Sequence, residues 1–439
     1  MKINKITLLV LIASVTLIGC KKKGCTDPLS TNYDPEAEKD DGSCEYATVD
    51  AYTINENITS DRTLTADNIW TLSGRVAVTN GATLTIEPGT IIKAEAGTGA
   101  SASSLVIARG GKLNAIGTAS QPIIFTSKSD DIQLGQTSGS SLNENVRGLW
   151  GGLLILGNAP CSFSGDVTEL QIEGIPASDA NGLYGGNDPA DNSGTISYVS
   201  IRHGGAEIGE GNEINGLTLG GVGTGTTINN IEVVANVDDG IEFFGGTVNA
   251  SNLLVWAQGD DGLDIDQAYA GTISNSMVVL NDASDHAMEI DGPEGSAAGS
   301  FTLDGITLIG TNDECSATGV DGEISDYRKG ATGVNKNVYV MNFTSGKDIE
   351  LDNDDDANSY TNGTLSFTNY QFTPSQDGGA DCYTPVLTDG SIFNDKSSVG
   401  STFEADGSTI CTVVATGAST VGANPANFSW TYASSKGAF

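Results

Sequence analysis

The chain has 439 residues, with 56 Asp and Glu against 20 Lys and Arg, a formal net charge of −36 and a pI near 4.1. So acidic a surface repels a phosphate backbone, which excludes nucleic acid as a partner and leaves cations, cationic proteins and neutral glycans. Fifty-seven glycines, 6% aromatics and 17% charged residues fit an ordered, turn-rich β architecture and exclude both a coiled coil and a disordered tail.

At the start, Lys2 and Lys5 precede an apolar run from Ile6 to Ile18 that is too short to cross a bilayer. The run ends in Leu17-Ile18-Gly19-Cys20, which resembles a bacterial lipobox. Residues 1–19 therefore read as a lipoprotein signal peptide and Cys20 as the lipidated first residue of the mature chain. No second apolar run follows, so the lipid is the expected membrane anchor, at the periplasmic face of the outer membrane or at the cell surface.

Residues 20–47 read as a separate cysteine-bounded module. Its segments Gly24-Cys25-Thr26-Asp27-Pro28, Asn32-Tyr33-Asp34-Pro35 and Asp40-Asp41-Gly42-Ser43-Cys44 resemble a short motif of many secreted proteins from Bacteroidetes-type bacteria. Outside the cytoplasm an even set of cysteines favours disulfides, and Cys25 with Cys44 is the expected pair because both lie in this module. The aspartates here are either calcium ligands or parts of a stapled spacer. Among Cys161, Cys315, Cys382 and Cys411 three pairings are open, and Cys382 with Cys411 is the one we expect.

From residue 48 to 372 the pattern is that of an all-β protein, a right-handed parallel β-helix. Leu72 to Thr90 and Gly110 to Ser127 alternate apolar and polar residues and turn at glycine, as such coils do. Further on, Asn215-Gly216-Leu217-Thr218, Asp239-Gly240-Ile241-Glu242, Asp261-Gly262-Leu263-Asp264 and His286-Ala287-Met288-Glu289 repeat. Thr218, Glu242, Asp264 and Glu289 are separated by 24, 22 and 25 residues, the period of one solenoid coil. At about 24 residues per coil the chain predicts roughly 14 coils. Insertions at residues 129–146, 157–194 and 311–327 interrupt the period and are expected to project from one face. Residues 373–439 are expected to cap the last edge.

Alternation directs Ile241/Phe243, Leu263/Ile265, Met288/Ile290 and Ile349/Leu351 inward and Glu242, Asp264, Glu289 and Glu350 outward, as an acidic ladder. At about 5 Å, two bare charges repel by roughly 1 kcal/mol in water and roughly 3 kcal/mol near a protein surface. Such a ladder requires bound cations, raised pKa values or interleaved bases, unless it is merely a solvated edge. The metal-binding residues expected are Glu242, Asp264, Glu289, Asp266 and Asp291, with calcium as the ion. The 61-residue step from Glu289 to Glu350 predicts one intervening rung, Tyr327-Arg328-Lys329-Gly330, which places Arg328 or Lys329 among the acids. Phe244, in the row of Asp266 and Asp291, completes the candidate ligand-binding set as a ring for sugar stacking.

Trp150-Gly151-Gly152, Ile155-Leu156-Gly157, Ile172-Glu173-Gly174, Tyr184-Gly185-Gly186, Asp191-Asn192-Ser193-Gly194, Asn212-Glu213-Ile214-Asn215-Gly216 and the run Asp238 to Asn249 carry a resemblance. Over residues 145–270 the chain resembles secreted or outer-membrane β-helix lipoproteins of Gram-negative, Bacteroidetes-type bacteria. The resemblance implies fold and location, and no established activity. It also implies a Trp-rich coil after the second acidic pair, where this chain instead has Asp264-Ile265-Asp266-Gln267-Ala268-Tyr269.

The expected function is a lipid-anchored binding or scaffold protein with calcium along the ladder and a glycan or an outer-membrane protein as partner. The alternative is a polysaccharide lyase or glycoside hydrolase. For that reading Asp239 and Asp261, one coil apart, supply the carboxylate pair, and Lys347, Arg328 or Lys329 supplies the base. His203 and His286 lack the Gly-His-Gly setting of polygalacturonase-like sites, and no nucleophile elbow, paired-histidine zinc motif or phosphate loop is present.

Overall fold

The computed structural model describes residues 21–28, 30, 32–45, 51–207, 213–311, 323–377 and 380–439. The expected signal peptide, Cys20, Cys315 and most of the 311–327 insertion lie outside them. The chain divides into two compact units, at Ala51 and Tyr52. In the first, Lys23–Gly24 pairs in parallel with Lys39–Asp40, and Cys25 is bonded to Cys44 across a Cα separation of 4.7 Å. Its aspartates are engaged locally. Asp34 pairs with Lys22 at 2.9 Å, while Asp40 and Asp41 accept the Gly42 and Ser43 amides.

The second unit is a right-handed parallel β-helix with a ten-stranded and a seventeen-stranded sheet among the described residues. The chain alternates between the two, so each strand pairs with its equivalent one coil on. In the larger sheet, Thr227–Val234, Ala250–Trp256 and Thr272–Val279 bend at Asn230, Asn252 and Asn275, whose φ values are 53°, 56° and 49°. Asparagine tolerates this left-handed conformation better than most residues. Its amide also repairs the bend, for Asn252 donates to Asn230 (3.2 Å) and Asn275 to Asn252 (2.5 Å).

Ten strands stack in the smaller sheet, fewer than the roughly 14 coils expected. Insertions and the C-terminal segment consume the difference. Residues 157–194 leave the solenoid and fold over its flank, where Phe163, Ile172, Ile175 and Tyr184 pack on Leu154, Leu156 and Phe244.

The region from 373 to 439 does more than cap. On the helix Phe403–Ile410, Phe403 meets Tyr360, Phe367 and Phe393 at 5.0, 4.9 and 5.3 Å and closes the interior. The chain then returns along the outside of the large sheet, laying Phe428, Tyr432 and Ala433 on Val234, Leu254, Trp256, Met277, Val279 and Ile309. The expected Cys382–Cys411 pairing is wrong. Cys382 is disulfide-bonded, but Cys411 is a free thiol that starts the strand Cys411–Val413, paired with Tyr370–Thr373, and is buried in the core. Cys161 is also free.

Candidate functional site

The ten-stranded sheet holds the acids in register. Ala77, Val106, Leu154, Thr218, Glu242, Asp264, Glu289, Asp326, Glu350 and Asn394 are successive Cα partners in one row. The row therefore changes from apolar to acidic at Glu242 and carries five carboxylates in consecutive coils. Their neighbours along each strand, Ile241/Phe243, Leu263/Ile265, Met288/Ile290 and Ile349/Leu351, are at most 1% exposed and fill the interior. The rung between Glu289 and Glu350 belongs to the strand Glu323–Arg328, and its member in the row is Asp326, an acid where a base was expected.

Arg328 and Lys329 nevertheless serve the acids, from the next row. Arg328 is the register partner of Asp291. Its Nε donates to Asp291 Oδ1 at 2.8 Å, and its Nη2 donates to Glu289. Lys329 Nζ reaches Asp291 Oδ2 at 2.5 Å. At the far end of the row Lys396 pairs with Glu350. Glu289 and Asp291, expected among calcium ligands, are thus neutralised by the protein's own cations. Even so, Glu289 rises to about 8, because burial and the Asp261 charge outweigh Arg328.

The other end of the ladder has no such partner. Asp239, in the turn before Ile241–Phe244, joins Glu242 and Asp264, and one oxygen from each lies within 4.8 Å of the others. These residues are 6%, 5% and 9% exposed. Asn215 donates through Nδ2 to Glu242, and Asp239 accepts the Asp261 amide at 2.9 Å. Asp264 Oδ1 is buried with no hydrogen-bond partner. Burial, then the charges of neighbouring acids, raises all three carboxyls well above the usual carboxylate range. Around them burial and neighbouring acids lift Asp238 to about 7 and Asp260 to about 6; Asp266, on which Lys329 acts in the opposite direction, also rises to about 7.

The candidate catalytic residues do not assemble. Asp239 and Asp261 are 6% and 4% exposed, and both carboxylates are occupied in accepting amides of the following coil, Asp239 from Asp261 and Asp261 from His286, each at 2.9 Å. Lys347 sits beside Asp348, three coils beyond Asp261 and hence roughly 14 Å along the stack. His286 bonds Asp261 Oδ1 through Nδ1 at 2.8 Å. Burial opposes its protonation, but that bond and the Asp261, Asp285 and Glu289 charges push it up to about 9. His203 is 1% exposed and donates from Nδ1 to the Val146 carbonyl at 2.6 Å, a structural role. Phe244 is 6% exposed beneath the 157–194 insertion, with its ring edge-on to Tyr184 at 5.9 Å, so it offers no open face for a sugar.

Beside the compensated half of the ladder lies an open cleft of about 930 Å³, lined by Lys329, Lys396, Glu294, Asp352, Asp354 and Asp355 among others. Its polar, mixed-charge lining suits a hydroxylated ligand better than an apolar one. Sequence reasoning missed Asp326, Asn215 and Lys396, and listed Asp239 only as a catalytic candidate. The residues three places before Thr218, Glu242, Asp264 and Glu289 carried a signal for part of this: Asn215, Asp239, Asp261 and His286 form a second repeat beside the first.

Residues 56–420 match the family described as a pectate-lyase-like beta helix domain. No curated protein and no solved structure matches the chain.

Proposed function

We propose that this chain, which belongs to the pectate-lyase-like beta helix domain family, is a lipid-anchored binding protein of the outer membrane that holds calcium in its acidic ladder and takes a glycan or protein ligand on the same side of the solenoid. The observation that carries this reading is the row of five stacked carboxylates from Glu242 to Glu350, of which Glu242 and Asp264 are buried without a basic partner. Hard oxygen ligands at this density are what calcium takes. The Leu17-Ile18-Gly19-Cys20 motif supports the anchor. Calorimetric titration of the purified, chelator-stripped chain with calcium tests the ion, and heat equal to the dilution blank overturns it. For the anchor, Cys20→Ser should move the protein to the soluble fraction; recovery in the membrane pellet after a salt wash overturns that part.

A second reading is favoured by the family and the cleft together. Calcium-assisted lyase chemistry on an acidic polysaccharide would need a base beside the carboxylates, and Lys329 and Lys396 line the cleft. Both lysines are ion-paired, to Asp291 and Glu350, and both are held charged more firmly than a free lysine, although burial opposes this. A charged ammonium is a poor base, so binding is the better-supported outcome. Incubation with polygalacturonate or alginate separates the readings: unsaturated products in the ultraviolet support the lyase, and retention on an affinity column without cleavage supports the binder.

A further inference from the structure

Four groups of acids among the described residues lie close enough to share an ion, and they are not equivalent. In the group of Asp261, Asp285 and His286, the imidazole is already bonded to Asp261. In the group of Glu323, Asp348 and Glu350, Lys396 pairs with Glu350. Asp238 and Asp260 flank Asp239 nearer the surface. The group of Asp239, Glu242 and Asp264 is buried throughout and has no basic side chain bonded to it.

We propose that Asp239, Glu242 and Asp264 form a single, discrete divalent-cation site, and that Glu289 and Asp291 are not part of it. The inference rests on the calcium reading above but assigns the ion to one place in the ladder.

Geometry supports a shared ion. One carboxylate oxygen from each of the three residues lies within 4.8 Å of the others, close enough for all three to face a single cation. An independent observation points the same way. Asp264 is nine-tenths buried, and its Oδ1 has no hydrogen-bond partner, an arrangement that leaves a strong acceptor unsatisfied unless the group takes up a proton or a cation meets it. Asn215, 1% exposed, holds Glu242 through its amide and so orients a ligand from the outer side. Parallel pairing fixes the rest, because Glu242 and Asp264 are direct register partners and Asp239 is tied to the Asp261 amide.

The experiment is calcium titration of the full chain after chelator treatment, read by calorimetry, for wild type, Glu242→Gln, Asp264→Asn and Glu289→Gln. We expect one site per chain in wild type, a loss of about tenfold or more in calcium affinity in Glu242→Gln and Asp264→Asn, and less than about twofold change in Glu289→Gln. Melting curves in chelator keep the outcome interpretable, since the two amide variants remove repulsion and should melt no lower than wild type there. Absence of calcium binding in wild type overturns the ladder reading itself. Wild-type binding that survives Asp264→Asn and Glu242→Gln but is lost in Glu289→Gln leaves that reading standing and overturns this assignment, as does a stoichiometry of several equal sites.

Discussion

Arg328 reaches back one coil to Asp291, its register partner, and closes two hydrogen bonds on that carboxylate, from Nε at 2.8 Å and Nη2 at 3.1 Å, while the same Nη2 also holds Glu289. Asp291 is 5% exposed, so the guanidinium is the principal counter-charge of a buried acid, shared only with Lys329. Breaking such a pair from one side strands a charge in low dielectric.

Arg328→Met should therefore destabilise the β-helix by about 2–4 kcal/mol, measured by chemical denaturation at neutral pH. Adding Asp291→Asn to it should recover part of that loss, because the stranded charge goes with it. Additive single and double variants would show that the two residues do not act as a unit.

Asp356 offers a pH test away from the acidic trio. It is 0% exposed on the helix Asp354–Thr361, accepts the Gly330 and Ala331 amides through Oδ1, and has a buried, unpartnered Oδ2. Burial outweighs those two bonds and, with Asp352 and Asp326 nearby, pushes it up to about 7 from an ordinary value of 3.8. The folded state then binds the proton more tightly than the unfolded one, so this group's contribution to stability falls as pH rises from 4 to about 7 and is flat above. Asp356→Asn keeps the amide acceptor and removes the charge. It should be more stable than wild type by about 1–3 kcal/mol at pH near 8 and equal to it near pH 4. An unchanged pH profile of melting would contradict this.

His286 acts in the same direction over a higher pH window. Its folded pKa, about 9, exceeds the ordinary 6.5, so its stabilisation is complete below 6.5 and is lost as pH rises through 9. His286→Gln should cost stability near pH 6 and match wild type near pH 10. Proton titration followed by NMR on the imidazole checks the same point directly, with a midpoint near 6.5 as the contrary result.

The C-terminal return segment should be a stability element. Phe428 is 0% exposed against the outside of the large sheet, and the Ala433 amide donates at 2.8 Å to Glu232, which is itself buried beside Arg202. Phe428→Ala should destabilise by about 3 kcal/mol. Removing residues 424–439 should uncover Trp256, Met277 and Ile309 and raise binding of an apolar dye; a truncated chain with wild-type melting and no dye binding would show that the segment is dispensable.

The coil was legible in the pattern of the chain alone. Alternation places Ile241/Phe243 and Leu263/Ile265 inside, and the 22- to 25-residue spacing brings Glu242, Asp264 and Glu289 into one row, because both signals are local and every coil repeats them. Cys25 with Cys44 was legible for the same reason, being close in the chain. Which acids are compensated was settled by how the chain folds back on itself. The reach of Arg328 to Glu289 and of Lys396 to Glu350 spans 39 and 46 residues and depends on insertions that break the period. The covering of Phe244 by the 157–194 insertion and the departure of Cys411 from its expected partner are likewise set by how irregular segments fold back on the solenoid. A repeat fixes what each coil shows to its neighbour, whereas the charge balance of a buried acid depends on whichever side chains the chain brings to it from outside the repeat.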